Sequence, residues 1–238
     1  MIRTKAIVIN RFDYKENDNL VCFYTLDFGK LLLASRGTKK ATSKLVAHLE
    51  PFNFVELMII KNKNGMSVGS VISEDSFVSL KSDYNSIYLA GSFFNFFNKM
   101  IKEGQQDFEL FFFLNDFLKT INKEFKFIES LNIGQLDFLI DIFKFRLLSS
   151  LGCSLNIDNC SVCKSKKDFK FLDFEQGGLV CGRCSVNTSS SNRVGIDDKL
   201  LELKKSIREI DFTNTLRIEE NDKLHNLIKK KIVYFTNL

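Results

Sequence analysis

The chain has 238 residues, 45% hydrophobic and 26% charged, with one proline and no tryptophan, a globular composition that excludes a disordered or collagen-like class. No segment reaches the roughly 20 uncharged apolar residues of a membrane span, and the opening MIRTKAIVIN is too short an apolar run for a signal peptide. A cytoplasmic protein of two or three units with no membrane partner is expected. The formal net charge of +5 is modest but uneven: from Gly29 to His48 the basic residues Lys30, Arg36, Lys39, Lys40 and Lys44 occur without one Asp or Glu, a field suited to a polyanion.

In chain order, the first eighty residues predict short strands. KAIVIN (5–10), LVCFYT (20–25), KLLLAS (30–35), FVELMII (54–60) and SVGSVIS (67–73) are rich in Val, Ile, Leu and Phe, and turn formers separate them. Five strands with a longer insert between the third and fourth fit an OB-type barrel, and an SH3-like barrel fits the same spacing. After about residue 84 the period changes. Leu114, Phe117, Leu118 and Ile121 recur at helical spacing, and Leu136, Leu139, Ile140, Phe143 and Leu147 continue it. Residues 86–101 and 107–125 are apolar on more than one side, which predicts the interior of a bundle. Their phenylalanines read as core packing, and any exposed remainder would suit a groove for a partner peptide. A cysteine-rich segment interrupts the helices at 159–184. Beyond it, SSSNRVG (189–195) reads as a loop, Leu200, Leu203, Ile207 and Ile210 return to helical spacing, and Leu224, Leu227, Ile228 and Ile232 predict a last amphipathic helix.

The cysteines carry the strongest chemical signal. Cys160, Cys163, Cys181 and Cys184 form C-x2-C-x17-C-x2-C, in which each tight turn aims two thiolates at one ion and two turns complete a tetrahedron. Gly177, Gly178 and Gly182 permit the close backbone approach such turns need. Disulfides do not suit a reducing compartment, and a thioredoxin-like redox site needs one C-x-x-C rather than two. A catalytic zinc needs an open position and usually His or carboxylate ligands, and the only histidines, His48 and His225, lie in no H-x-E context. The expected cofactor is therefore a structural Zn2+ in a closed four-thiolate shell. Lys164, Lys166, Lys167 and Lys170 in the same segment read as a solvated face, and Cys22 and Cys153 as buried small hydrophobes. No phosphate-binding glycine loop, dinucleotide fingerprint or H-E-x-x-H occurs, and no residue is a candidate for catalysis.

Two blocks of sequence carry a resemblance. The run NRFDYKENDNLVCFYTLDFGKLLLASRG resembles the opening of the RecO family of bacterial recombination mediators through Arg11, Tyr14, Glu16, Asp18, Gly29, Arg36 and Gly37. About 120 residues on, FKFRLLSSLGCSLNIDNCSVCKSK followed by FEQGGLVCGRC is similar to the family's middle, so the resemblance covers roughly residues 1–185. It implies an α+β protein: an N-terminal OB-fold β-barrel for DNA binding at 1–80, then an α-helical domain at 81–238 with a four-cysteine zinc clip at 159–185. It also implies a protein without turnover that binds single- and double-stranded DNA and anneals complementary strands. Its implied partners are RecR, the C-terminal tail of single-stranded-DNA-binding protein and, indirectly, RecA, at the bacterial nucleoid. Family members that lack the four cysteines agree with a structural rather than a reactive metal.

The residue chemistry adds a nucleic-acid site of its own. Arg36, Lys39, Lys40 and Lys44, followed by Lys30 and Arg11, are the candidates to track phosphates. Phe12 and Tyr14 suit base stacking but read better as core or turn residues. The rival readings are an RNA-binding OB-fold protein, a scaffolding protein without nucleic-acid contact, and a zinc-dependent nucleic-acid enzyme.

Overall fold

The computed structural model describes residues 1–40, 42–62, 65–188, 190, 192–196, 212–218 and 222–236. They form two compact units, Met1–Ser130 and Leu131–Leu238. Among the described residues no helix is long and apolar enough to cross a membrane.

The first unit opens with five strands: β1 (Ile2–Asp13), β2 (Asn19–Thr25), β3 (Gly29–Ser35), β4 (Phe54–Asn62) and β5 (Gly65–Asp75). They close a barrel in the order β1-β2-β3-β5-β4, with β1 antiparallel to β4 and β3 meeting β5 in parallel at Ala34 and Ser67. The one parallel seam decides between the two barrels that the spacing allows, and it gives the OB-type order. Alternate side chains fill the interior, among them Ala6, Val8, Val21, Phe23, Leu31, Leu33, Val55, Leu57 and Ile59. A bulge between Val8 and Asn10 shifts the parity of β1, so that Arg11 pairs with the inward-facing Val21 while Phe12 pairs with Leu20.

Four helices complete this unit: α1 (Val78–Ser82), α2 (Tyr84–Met100), α3 (Phe108–Lys123) and α4 (Phe125–Glu129). Asp83 caps α2 by accepting the Ser86 N–H at 2.7 Å, and Asp107 caps α3 by accepting that of Leu110 at 3.0 Å. Leu114, Phe117, Leu118 and Ile121 are buried, as their spacing predicts. The phenylalanines pack on one another, with the Phe93 and Phe117 centroids 4.4 Å apart, and also on the barrel wall. Phe97 meets Tyr24 edge-on at 5.1 Å, Phe94 meets Phe52 at 5.2 Å, and Phe111 meets Phe54 at 6.0 Å. The expectation of a bundle interior is thus corrected: these rings close the outer face of the barrel as well as the helix contacts. Gly29 fixes the approach. It has φ +63°, and a Cβ there would stand 2.1 Å from the Gln105 carbonyl oxygen, so only glycine lets the α2–α3 connection lie against β3.

In the second unit, α5 (Ile133–Ser150) starts with a capping box between Asn132 and Gln135. Leu136, Leu139, Ile140, Phe143 and Leu147 are buried along it. Two short helices follow further on, α6 (Gly182–Ser185) and α7 (Phe212–Thr215), and then α8 (Asp222–Thr236). In α8, Leu224, Leu227 and Ile228 are buried and Ile232 is half-buried. His225 Nε2 lies 3.0 Å from the Asp141 carboxylate, and the buried Lys231 ammonium lies 3.2 Å from Ser149 Oγ and 4.0 Å from the Phe145 ring centroid. Both contacts tie α8 to α5. The cysteine segment is mostly not helical: apart from the single turn of α6, β6 (Phe169–Asp173), β7 (Gly178–Cys181) and β8 (Arg193–Gly195) make a small sheet in the order β7-β6-β8. The loop expected at 189–195 is corrected at its end, because Arg193, Val194 and Gly195 pair with Asp173, Leu172 and Phe171. The helical spacing of Leu200, Leu203, Ile207 and Ile210 lies outside the described residues.

Candidate nucleic-acid interface and metal centre

The insert between β3 and β4 is laced to the β1–β2 turn, and this lacing shapes the basic end of the barrel. The Thr38 hydroxyl, buried, donates to Asn19 Oδ1 at 2.8 Å, and the Gly37 N–H donates to Asp18 Oδ1 at 2.9 Å. The Lys39 N–H donates to the Asn17 carbonyl at 3.1 Å, and its ammonium reaches the Asp13 carboxylate and the Lys15 carbonyl, each at 3.1 Å. A groove of about 500 Å³ opens there, lined by Arg11, Asp13, Asn19, Thr38, Lys39, Lys40, Ser43 and Val46. Sequence reasoning missed Asn19, Thr38 and Ser43. They are short polar residues, Asn19 at the start of β2 and Thr38 and Ser43 in the insert, where no periodicity marks a lining role.

The six predicted basic residues do not behave alike. Arg36, Lys40 and Lys44 are exposed and have no side-chain partner among the described residues. Lys39 is exposed and held by Asp13. Arg11 is half-buried in the groove wall, donating to the Val46 carbonyl at 3.2 Å and pairing with Glu50 at 3.6 Å. Lys30 stands apart. Its ammonium donates to the carbonyls of Asn98 at 2.6 Å and Ile101 at 3.0 Å, so it caps the C-terminal end of α2, where a cation meets the negative end of the helix dipole. Lys30→Met is expected to lower stability by about 1.5–3 kcal/mol, the range for hydrogen bonds to a charged group. Chemical denaturation of the variant checks this.

Phe12 and Tyr14, read from the sequence as better suited to core or turn, are 43% and 52% exposed. For Phe12 the cause is the bulge in β1, which turns the ring outward. Cys22 is buried as expected, and burial pushes its thiol up to about 11 against the opposing pull of the Lys30 ammonium. Cys153 is only half-buried, which corrects its reading as a buried hydrophobe.

The candidate metal centre is built by two turns and a hairpin. In the first turn the Cys160 N–H donates to the Ser165 carbonyl at 2.7 Å and the Lys164 N–H returns to the Cys160 carbonyl at 2.9 Å. The second starts at the end of β7 and runs into α6. Gly178 brings the two together, since a Cβ on it would lie 2.3 Å from the Asn156 oxygen. The four Sγ atoms lie within 4.8 Å of one another, with Cys163 and Cys181 at 3.6 Å. Thiolates at the corners of a zinc tetrahedron of about 2.3 Å bonds stand about 3.8 Å apart, so the set fits such an ion. It is the only cluster of its kind among the described residues. Cys160, Cys181 and Cys184 are buried and packed with Val180 against Phe169, while Cys163 is exposed. Burial raises the Cys160 thiol, but the N–H groups of Cys163, Cys181 and Val162 outweigh it and hold the group at about 6. Hydrogen bonding with the Cys163 thiol, followed by burial, pushes Cys184 the other way. The lysines 164, 166, 167 and 170 around the turns are exposed, as expected of a solvated face.

A basic-ended OB-type barrel with a helical cover, followed by a second unit of helices and a four-cysteine ribbon, defines the class: a two-unit barrel-and-clip architecture. Residues 1–73 match the family model described as Recombination protein O N terminal, and residues 81–227 match Recombination protein O C terminal. The chain belongs to the RecO family. It is 32% identical over 185 residues to the DNA repair protein RecO of Clostridium novyi, covering 77% of this chain and 69% of that one. Identity is 28% to the DNA repair protein RecO of Syntrophomonas wolfei, over 98% of this chain and 88% of that one. The namesake from Caldanaerobacter subterraneus is 25% identical over 94% and 89% of the two chains.

Proposed function

We propose that this chain is a non-enzymatic mediator of DNA repair and homologous recombination. In this reading it binds single- and double-stranded DNA, anneals complementary strands, and works with RecR to load RecA onto strands coated by single-stranded-DNA-binding protein, whose C-terminal tail it takes up. The observation that carries the reading is the set of exposed cations Arg36, Lys40 and Lys44, without a side-chain partner among the described residues, in the insert whose Lys40 lines the groove of an OB-type barrel, in a member of a DNA repair family. Cations on a barrel end neutralise phosphates without reading bases, and neutralising two strands lowers their repulsion while leaving the bases free to pair. No nucleotide hydrolysis is needed for that. Arg36, Lys39, Lys40 and Lys44 are the phosphate-tracking set, Arg11 shapes the groove, and Lys30 serves the helix end. Cys160, Cys163, Cys181 and Cys184 hold a structural Zn2+, and the protein works in the bacterial cytoplasm at the nucleoid.

The test is annealing of two complementary DNA oligonucleotides, followed by fluorescence quenching without ATP across a salt series. Acceleration that fades as salt rises is expected. No acceleration at any salt would overturn the annealing function, and a preference for RNA strands of the same sequence would favour an RNA-binding protein.

A further inference from the structure

The outer face of β1, β2 and β3 is divided in two. Register sets its rows: Phe12 pairs with Leu20 and Leu20 with Ala34; Cys22 pairs with Leu32; Tyr24 pairs with Lys30. The row of Tyr24 and Lys30 is covered by α2 and α3 through Phe97, Phe111, Asn98 and Ile101. Cys22 lies under the same cover, 3.6 Å from Asn98 Oδ1. The row of Phe12, Leu20 and Ala34 is not covered: Phe12 and the neighbouring Leu32 are each 43% exposed, and Leu20 and Ala34 are half-buried. The face therefore ends in an apolar step carrying one aromatic ring.

A cation stands at the end of that step. Lys30, Leu32 and Ala34 share the outer face by the two-residue period of a strand, and Arg36 stands in the turn one residue past the end of β3. It is exposed and unpartnered among the described residues. A flat ring on an apolar floor, with a guanidinium in the turn that follows the far edge of that floor, is complementary to an unstacked base and a nearby phosphate of the same strand. It suits a single strand, because in a duplex the base faces are already stacked.

We propose that the open half of this face is a base-stacking platform for single-stranded DNA, with Phe12 stacking a base and Arg36 holding the adjoining phosphate. This rests on the reading of the barrel as the DNA-binding unit, and it adds what the basic loop alone lacks: a reason to prefer single strands over duplex.

The chain has no tryptophan, so Phe12→Trp creates a single reporter at the step. Ile72→Trp, at an exposed position of β5 that pairs with β4, is the control. Each is titrated with oligo(dT) while the anisotropy of a labelled strand reports binding. Emission from position 12 should be quenched in step with the anisotropy, with position 72 unchanged. Phe12→Ala should weaken single-strand binding about 5- to 150-fold, the range for loss of one stacked base, with little change on duplex, and Phe12→Tyr should restore it. Thermal melting confirms that each variant folds. Salt-sensitive binding by the wild type with no quenching at position 12 and an unaltered Phe12→Ala would overturn the platform while leaving the barrel as the DNA unit. Emission from position 12 that shifts with protein concentration and no DNA would assign the step to self-association instead. No wild-type binding at low salt would sink the platform and the DNA reading together.

Discussion

Removing the Zn2+ proposed for the cysteine clip, by a chelator or by Cys160→Ser or Cys181→Ser, is expected to produce the largest loss of stability available to a small change in this chain. Apparent zinc-binding energies in small modules are about 10–16 kcal/mol, and that energy is folding energy for the segment that makes the site. The ribbon has little else to hold it. Its sheet has three strands of five, four and three residues, and the thiolates form most of its buried cluster. The effect should spread within the second unit. The buried Asp173 accepts from Arg193 Nε at 3.0 Å, and the next residue, Phe174, stacks on Tyr234 of α8 at 5.8 Å. Metal content and the thermal midpoint should therefore fall together, with amide exchange rising in 159–185 and in α8. A metal-free wild type with an unaltered midpoint would remove zinc from the structure.

The second large effect is on DNA. Alanine at Arg36, Lys39 and Lys40 together is expected to remove up to three of the proposed phosphate contacts, or two if Asp13 retains Lys39. With about 0.7 counterions released per phosphate on a single strand, and affinity referred to 1 M salt, two or three contacts amount to about 70- to 500-fold at 50 mM salt and about 10- to 30-fold at 200 mM. The salt slope should fall by about 1.4 to 2.1. Anisotropy titrations across a salt series read both quantities. Lys30→Met is the internal contrast: its ammonium faces helix carbonyls, so it should cost stability and leave the slope alone. A triple variant that binds like the wild type would move the polyanion site off the barrel end.

How much of this was legible in the sequence depends on whether the cause was local. The strands were legible because short runs rich in Val, Ile, Leu and Phe are separated by turn formers, and the clip because two C-x-x-C turns are complete in themselves. The choice of OB order over an SH3-like order was not, since it rests on β1 returning to β4 and on the seam at Ala34 and Ser67, contacts between distant segments. The helical cover left a trace that was not read. LVCFYT is apolar at consecutive positions, the mark of a strand buried on both faces, and Cys22 and Tyr24 are the residues the cover hides. Lys30 looked like its basic neighbours because charge alone does not reveal a partner seventy residues away. Phe12 misled because a single bulge reverses the face of every residue beyond it. The strand Arg193–Gly195 is three residues long and exists only as an edge of β6, too short for any period to announce.

The fit of Gly29 against the Gln105 backbone has a practical consequence for anyone dissecting the molecule. A fragment cut after Asp75 would keep every strand of the barrel but strip Tyr24 and Cys22 of their cover and leave the Lys30 ammonium without its carbonyls. Such a fragment would carry a freshly bared apolar wall and be prone to clump, and its behaviour would report on the wound rather than on the barrel. A piece that runs to Ser130, the end of the first unit, keeps every residue that covers this wall.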